Sequence, residues 1–316
     1  MTDVVLSVSP RNLRTNPENP RLIFHEEELQ ELQASIAEQG ILVPLTVYQK
    51  RGSTSTYTIL DGERRWRCAL SLDLPRVPIV VQPQPTKLQN IMMMFAIHKQ
   101  RRPWDPLPTA YKLRDLEAEF ERTQGRRPTE EQLAQLASMS RGEVRRLKIL
   151  LGLPHAEQEM LMRELNKPRS VQRISADNML EATRGAAALR KRDIISAGEE
   201  TRLRRELISK FRDGVIQNTT DPRMLARIGR AVDRGELSKA NARKVAVRLI
   251  ESRSYSIRDA VASSVEQVDF EHGTEQLAQR LVNRLEEHLK RRYEVGASLA
   301  EPLARIQDLI KRILPR

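Results

Sequence analysis

The chain has 316 residues, with 54 Lys and Arg against 42 Asp and Glu, a formal charge of +12 and a pI near 10.1. Its length predicts two or three domains, and its charge points to a polyanionic partner, either nucleic acid or an anionic membrane surface. Aromatics at 4% exclude a binder that works mainly by stacking bases on rings, the single Cys68 excludes a disulfide framework or cysteine metal site, and no apolar run is long enough to span a bilayer.

In chain order, Val4–Val8 predicts a short strand, followed by a turn-rich stretch, Asn16–Pro20. Leu29, Leu32, Ile36 and Ala37 recur at helical spacing and predict a helix over Glu26–Gln39, stopped by Gly40. Leu42–Tyr48 and Tyr57–Leu60 predict a hairpin across the polar loop Lys50–Thr56. Glu63–Ser71 predicts a helix and Val77–Val81 a further strand. From Lys87 onward the pattern is helical, punctuated at Gly125–Pro128, Gly152–Pro154, Pro168, Gly214, Pro222, Gly235 and Gly296.

Near the end, Leu277, Leu281, Leu285 and Leu289 lie four residues apart within Thr274–Arg292. Ser298–Glu301 has the spacing of a capping box that opens a final helix, so an antiparallel helical hairpin is expected. Its apolar stripes predict packing on each other and the body, or a dimer surface. The five histidines show no HxxxH or HxH spacing, and MTDVVLSVSPR lacks a signal-peptide apolar core, so a cytoplasmic protein without a local zinc motif or membrane segment is expected.

Two segments carry function. Thr129–Gln132 and Ser140–Glu143 are consecutive capping boxes, predicting helices to Ala137 and to about Leu151 across the turn Ser138-Met139-Ser140. Leu133, Ala134, Leu136, Val144 and Leu147 face inward. This is the helix-turn-helix pattern, with Ser138 where glycine is usual. The second helix offers Ser140, Arg141 and Gly142 at its start and Arg145, Arg146 and Lys148 along its face, which predicts base-edge and phosphate contacts to double-stranded DNA. The plainer alternative is an αα-hairpin with a solvated basic face.

The other segment is Asp61–Arg67, DGERRWR. A strand, a glycine and a helix start with Arg64, Arg65 and Arg67 in or near its first turn suit a phosphate. Cations there oppose the helix dipole, so helix stability does not explain them. The alternative is that they pair with Glu26–Glu28 or with Glu63.

GERRWR after a strand resembles the second box of the ParB-type partition proteins (ParB/RepB/KorB-type). Asn19-Pro20-Arg21 with Phe24 resembles the first box, Ile36–Val47 the segment between the two, and Gln100-Arg101 with Asp105-Pro106 the third box. The resemblance covers roughly residues 5 to 155. Together with the helical pattern from Lys87 onward, it predicts an α+β N-terminal domain over residues 1–86, an all-α helix-turn-helix domain over 87–168, a helical region of unassigned role over 169–268 and a C-terminal helical hairpin over 269–316, the family's C-terminal domain being the one that dimerises. It also implies a CTP site, with Gly62, Glu63, Arg64 and Arg65 as triphosphate contacts and Arg21 and Gly40 lining the same pocket.

The sequence departs from the family at the metal and hydrolytic positions. The family's Mg²⁺-holding glutamate–asparagine pair falls on Ile97 and His98, the glutamine linked to hydrolysis on Asn19, and the glutamine before the mid-domain proline on Val43. At most a weak CTPase is expected, with no catalytic residue and no protein metal ligand named. The short stretch before the first box predicts no peptide for a ParA-type ATPase. The expected function is site-specific DNA binding in plasmid or chromosome partition or on a mobile element, as a homodimer. The alternatives are a transcription or replication regulator without a nucleotide switch and, last, a ParB-like nuclease.

Overall fold

The computed structural model describes residues 4–53, 55–99 and 104–314, without the side chains of 98, 99 and 267–269. Five strands, β1 (Val5–Val8), β2 (Leu13–Arg14), β3 (Leu45–Gln49), β4 (Tyr57–Asp61) and β5 (Val77–Gln82), form one mixed sheet of order β1-β5-β3-β4-β2. β1 runs antiparallel to β5 and β3 antiparallel to β4, whereas β3–β5 and β2–β4 are parallel.

Two helices of this region, α1 (Glu26–Gln39) and α2 (Glu63–Ser71), span the residues their periodicity predicts. β3 begins three residues later than the expected Leu42: Pro44 lacks an N–H for the ladder, and Leu42 and Val43 are exposed. β2 is too short for a periodicity signal, and β4 is its ladder partner in the sheet.

Side chains alternate across the sheet. Leu45 and Val47 of β3 and Ile59 of β4 pack with Ala69 of α2, Leu13, Val77 and Ile79 on one face. Tyr48 and Leu60 turn to the other face and meet Met94 of α3 (Lys87–Lys99). Asn16 and Asn90, both buried, exchange hydrogen bonds of 2.8 and 3.1 Å and tie the N-terminal turn to α3.

The remainder is helical: α4 (Pro106–Gln124), α5 (Glu130–Leu136), α6 (Arg141–Leu151), α7 (His155–Leu165), α8 (Ala176–Arg190), α9 (Ala197–Arg212), α10 (Leu225–Asp233), α11 (Lys239–Glu251), α12 (Ile257–Ala262), α13 (Glu266–Lys290) and α14 (Ala297–Ile313). One hydrophobic core runs through Phe95, Leu113, Leu133, Leu161, Leu189, Leu225 and Ala246 to Val265. α8 and the 3-10 turn Asp221–Met224 approach closely at Gly185, where a Cβ would stand 2.6 Å from the Pro222 carbonyl oxygen. Buried carboxylates cross-tie this body: Glu157 with Arg204, Glu181 with Arg223, Glu199 with Arg243.

The C-terminal pair corrects one expectation. α14 starts at Ala297 with Gly296 as N-cap, so Ser298 lies inside the helix and makes no cap, and Pro302 sits in its interior. α13 begins at Glu266, ahead of Thr274, and no residue of α14 is buried. No described helix is long and apolar enough to cross a membrane.

Candidate phosphate pocket and nucleic-acid interface

β4 and α2 meet at Gly62, whose φ of 101° is strained for any side chain. A Cβ there would come within 2.9 Å of Leu45 Cγ and 3.0 Å of Arg65 Nη2. The ladder shifts register between Thr46 and Val47, opposite the end of β4, and so re-aims the chain just before this glycine. The backbone N–H groups of Glu63, Arg64 and Arg65 belong to the first helical turn, where no intrahelical acceptor exists. They open beside a cavity of about 300 Å³ lined by Asn19, Arg21, Asp61, Gly62, Arg64 and Arg65, together with Glu63, Leu32, Ile59 and Leu60.

Arg21, Gly62, Glu63, Arg64 and Arg65 thus share one cavity, while Gly40, which ends α1 at φ 69°, is not among its lining residues. The arginines are held by the protein. Arg65 donates to the Val43 and Pro44 carbonyls and to Asp61 Oδ2 at 2.9 Å. Arg64 donates to the Glu28 carbonyl at 2.7 Å, with the Glu28 carboxylate 3.9 Å away. The Glu63 carboxylate is buried, accepting from Arg67 at 2.7 Å and from Asn19 Nδ2 at 2.6 Å. Arg67 in turn lies 3.8 Å over the Phe24 ring. Trp66 donates from Nε1 to the Pro10 carbonyl at 2.9 Å and anchors the turn before β2. The Arg64–Glu28 and Arg67–Glu63 pairs are those of the alternative reading, and Asp61 meets Arg65 at helical i,i+4 spacing, whereas this use of Trp66 depends on long-range packing and carries no spacing signal.

The cavity can hold an anion by backbone N–H groups and guanidinium edges. Ile97, where one of the family's Mg²⁺-holding residues falls, is half-buried against Tyr48, Leu60 and Met94, and its aliphatic chain offers no oxygen. Among the described residues no three His, Cys, Asp or Glu side chains gather to hold a metal. The side chain of His98, and Gln100 and Arg101, lie outside the described residues. Asp105 stands at the N-cap position of α4 without a side-chain capping bond, and burial raises its carboxyl above the usual range, against the pull of Arg169, His25 and Arg21.

The second set of residues lies on α5 and α6. Both capping boxes form: Thr129 accepts from Gln132 N–H and Ser140 from Glu143 N–H, each at 3.2 Å, with Gln132 and Glu143 reaching back. Ser138, in the turn, has φ 52°, a left-handed conformation in which glycine is cheaper. Leu133, Ala134, Val144 and Leu147 are buried. Ser140, Arg141, Gly142, Arg145 and Lys148 are exposed and Arg146 half-buried.

Each cation of α6 has a carboxylate neighbour. Glu130 pairs with Arg145 at 2.8 Å and Arg141 at 3.4 Å, Lys148 with Glu117 at 3.1 Å, and Arg146 with Asp177. Hydrogen bonds from Arg145 first, and from Arg141, hold the Glu130 carboxyl below its ordinary value. Gly142 would meet only Ser140 Oγ with an added Cβ, at 3.8 Å, so the start of α6 is open to close approach.

Comparison with known proteins places these features. Residues 1–96 match the family model "ParB N-terminal domain". The chain is 30% identical over 223 residues to a probable chromosome-partitioning protein ParB of Pseudomonas putida, covering 67% of this chain and 72% of that one. It is 36% identical over 150 residues to chromosome-partitioning protein ParB of Caulobacter vibrioides, covering 48% of this chain and 47% of the relative, so it spans about half the length of that relative. Among solved structures, C-terminally truncated ParB from Caulobacter crescentus complexed with CTP-gamma-S is similar at 32% identity with a TM-score of 0.30, covering 51% of this chain and 85% of that one.

Proposed function

The chain belongs to the ParB family, and from that membership we propose that it is a site-specific double-stranded-DNA-binding protein of a plasmid, chromosome or mobile-element partition system. The observation that carries this reading is the α5–α6 pair: a short turn with a left-handed Ser138, a buried inner face, and four cations on the outer face of the second helix. In this reading the pair is a helix-turn-helix. Ser140, Arg141 and Gly142 at the start of α6 meet base edges, and Arg145, Arg146 and Lys148 meet phosphates. Asp177 is exposed, and Glu130 and Glu117 are half-buried, each reached by cations that are themselves solvent-accessible, so phosphates can compete for those cations.

The cavity at Gly62 is read as the family's CTP site. Arg21, Arg64, Arg65 and the N–H groups of α2 face the triphosphate, which exchanges with the carbonyl and carboxylate partners now holding the guanidinium groups. Its 300 Å³ lies at the lower end of the range for small-molecule sites. Ile97 leaves the site without the family's metal pair, so no hydrolytic step is assigned. A second reading, a DNA-binding regulator with no nucleotide switch, is favoured by the same Ile97 and by the engagement of Arg64 and Arg65 within the protein. A nuclease is not favoured: Asp61 and Glu63 are both committed to arginines. A homodimer through residues 269–316 would cover the exposed Leu277, Leu289, Ile310 and Ile313.

Enrichment of a random duplex pool on the full chain tests the DNA reading. One palindromic site is expected to emerge; a pool that stays random after repeated rounds would overturn it. Calorimetry with CTP separates the two nucleotide readings: saturable heat assigns the switch, and its absence assigns the regulator.

A further inference from the structure

The region 169–268 holds 21 Lys and Arg against 13 Asp and Glu, most of the chain's net positive charge, and the helix-turn-helix reading leaves it unused. Its cations are mostly spent on structure, as in the Glu181–Arg223 and Glu157–Arg204 pairs. α11 differs. It carries Lys239, Arg243, Lys244 and Arg248, with one acid, Glu251, in its last turn. Lys239 and Arg243, and Lys244 and Arg248, are like-charged pairs four residues apart, an arrangement that weakens a helix. No acid stands in the first turn, where the helix dipole favours one, and Lys239 stands there instead.

α11 tolerates these costs because its inner face is well buried, through Ala242, Ala246 and Leu249. Arg243 is held by Glu199 at 2.8 Å, and Arg248 lies 4.3 Å over the Tyr255 ring. These two fixed cations flank Lys244 in a shallow groove of about 620 Å³. Lys239 and Lys244 are exposed, and among the described residues neither has a hydrogen-bond or ion-pair partner. On α6, by contrast, every cation is paired.

We propose that this face of α11 is a second, sequence-independent contact surface for the DNA backbone, separate from α6. The proposal rests on the chain being a DNA-binding protein. α6 packs on α8, α8 on α9 and α9 on α11. Three interhelical spacings of about 8–10 Å place α11 within about 30 Å of α6, less than the roughly 34 Å of one duplex turn. Lys244 and Arg248, one helical turn apart, suit adjacent phosphates; with Arg243 matched by Glu199, they outweigh Glu251, the one acid lining the groove, and the free lysines can move to meet the strand.

The test compares the full wild-type chain with K239Q/K244Q, K239R/K244R and R145A on a labelled duplex of scrambled sequence, titrated across salt concentration. Both lysines are solvent-exposed, so unchanged thermal melts are expected. The slope of log affinity against log salt should fall by about 2 in K239Q/K244Q, about 0.9 for each phosphate that is no longer neutralised. It should recover in K239R/K244R. A wild-type slope in K239Q/K244Q, with R145A impaired, overturns the second surface and leaves the α6 reading standing. Loss of heparin affinity without loss of duplex affinity assigns the face to another polyanion and also overturns it. No duplex binding by the wild-type chain overturns the DNA reading itself.

Discussion

The arginines of the Gly62 cavity and the cations of α6 carry the same charge in opposite settings. Arg65 and Arg64 have 14% and 27% of their side chains exposed and are fixed by backbone carbonyls and carboxylates from α1, β4 and the loop before β3. Arg141 and Arg145, at 59% and 60%, touch only Glu130 across a solvated surface. A pocket arginine therefore has its geometry set in advance and must give up good partners to take a ligand. A surface arginine gives up little, because exposed pairs contribute about 0–1 kcal/mol. The first setting favours one shaped anion and the second a long, repeating one.

Changes at either site break or sharpen that comparison. The largest expected effect is at Arg64: in Arg64→Ala, calorimetric CTP binding should vanish while duplex affinity stays at the wild-type value, and loss of both would make the cavity a DNA contact. Next is Gly62→Ala, which forces a side chain into the left-handed region against Leu45 and Arg65. Chemical denaturation should show a loss of about 1–3 kcal/mol, and nucleotide binding should fall with it. Arg145→Ala should weaken binding to specific and scrambled duplexes alike, reducing the salt slope by about 1. Glu130→Gln frees Arg145 and Arg141 and should strengthen duplex binding by up to about fivefold in anisotropy, the equivalent of one exposed pair.

The smallest effect lies away from both sites. The Arg243 hydrogen bonds, with those of Ser196, lower the Glu199 pKa from 4.5 to about 2. A depressed carboxyl stabilises the fold fully above its unfolded value and loses that contribution as pH falls through the folded one. Melting of Arg243→Ala should therefore lag the wild type above pH 4.5, with the gap closing toward pH 2.

Much of the fold was legible because it rests on short-range pattern. The periodicity of Leu29, Leu32 and Ile36 marks α1, the paired boxes at Thr129 and Ser140 mark α5 and α6, and glycine or proline separates α4 from α5, α6 from α7 and α9 from α10. The local geometry of both candidate sites was legible for the same reason: strand, Gly62 and arginines are contiguous, as are Ser140 to Lys148. What was not legible depends on the third dimension. The holding of Arg65 by Val43 and Pro44, the Asn16–Asn90 pair and the two-residue β2 join segments far apart in sequence. The Ser298 box misleads because Gly296 already ends the preceding turn, so the helix starts before the serine can cap it.

Protection of the selected palindromic duplex by the full wild-type chain, by Arg145→Ala and by Arg64→Ala, in the same salt and without nucleotide, tests the assignment of DNA recognition to α6 most directly. The predicted result is equal protection of a single site by wild type and Arg64→Ala, and weaker protection of it by Arg145→Ala at the same protein concentration. Equal protection by Arg145→Ala, or loss in Arg64→Ala alone, would contradict it.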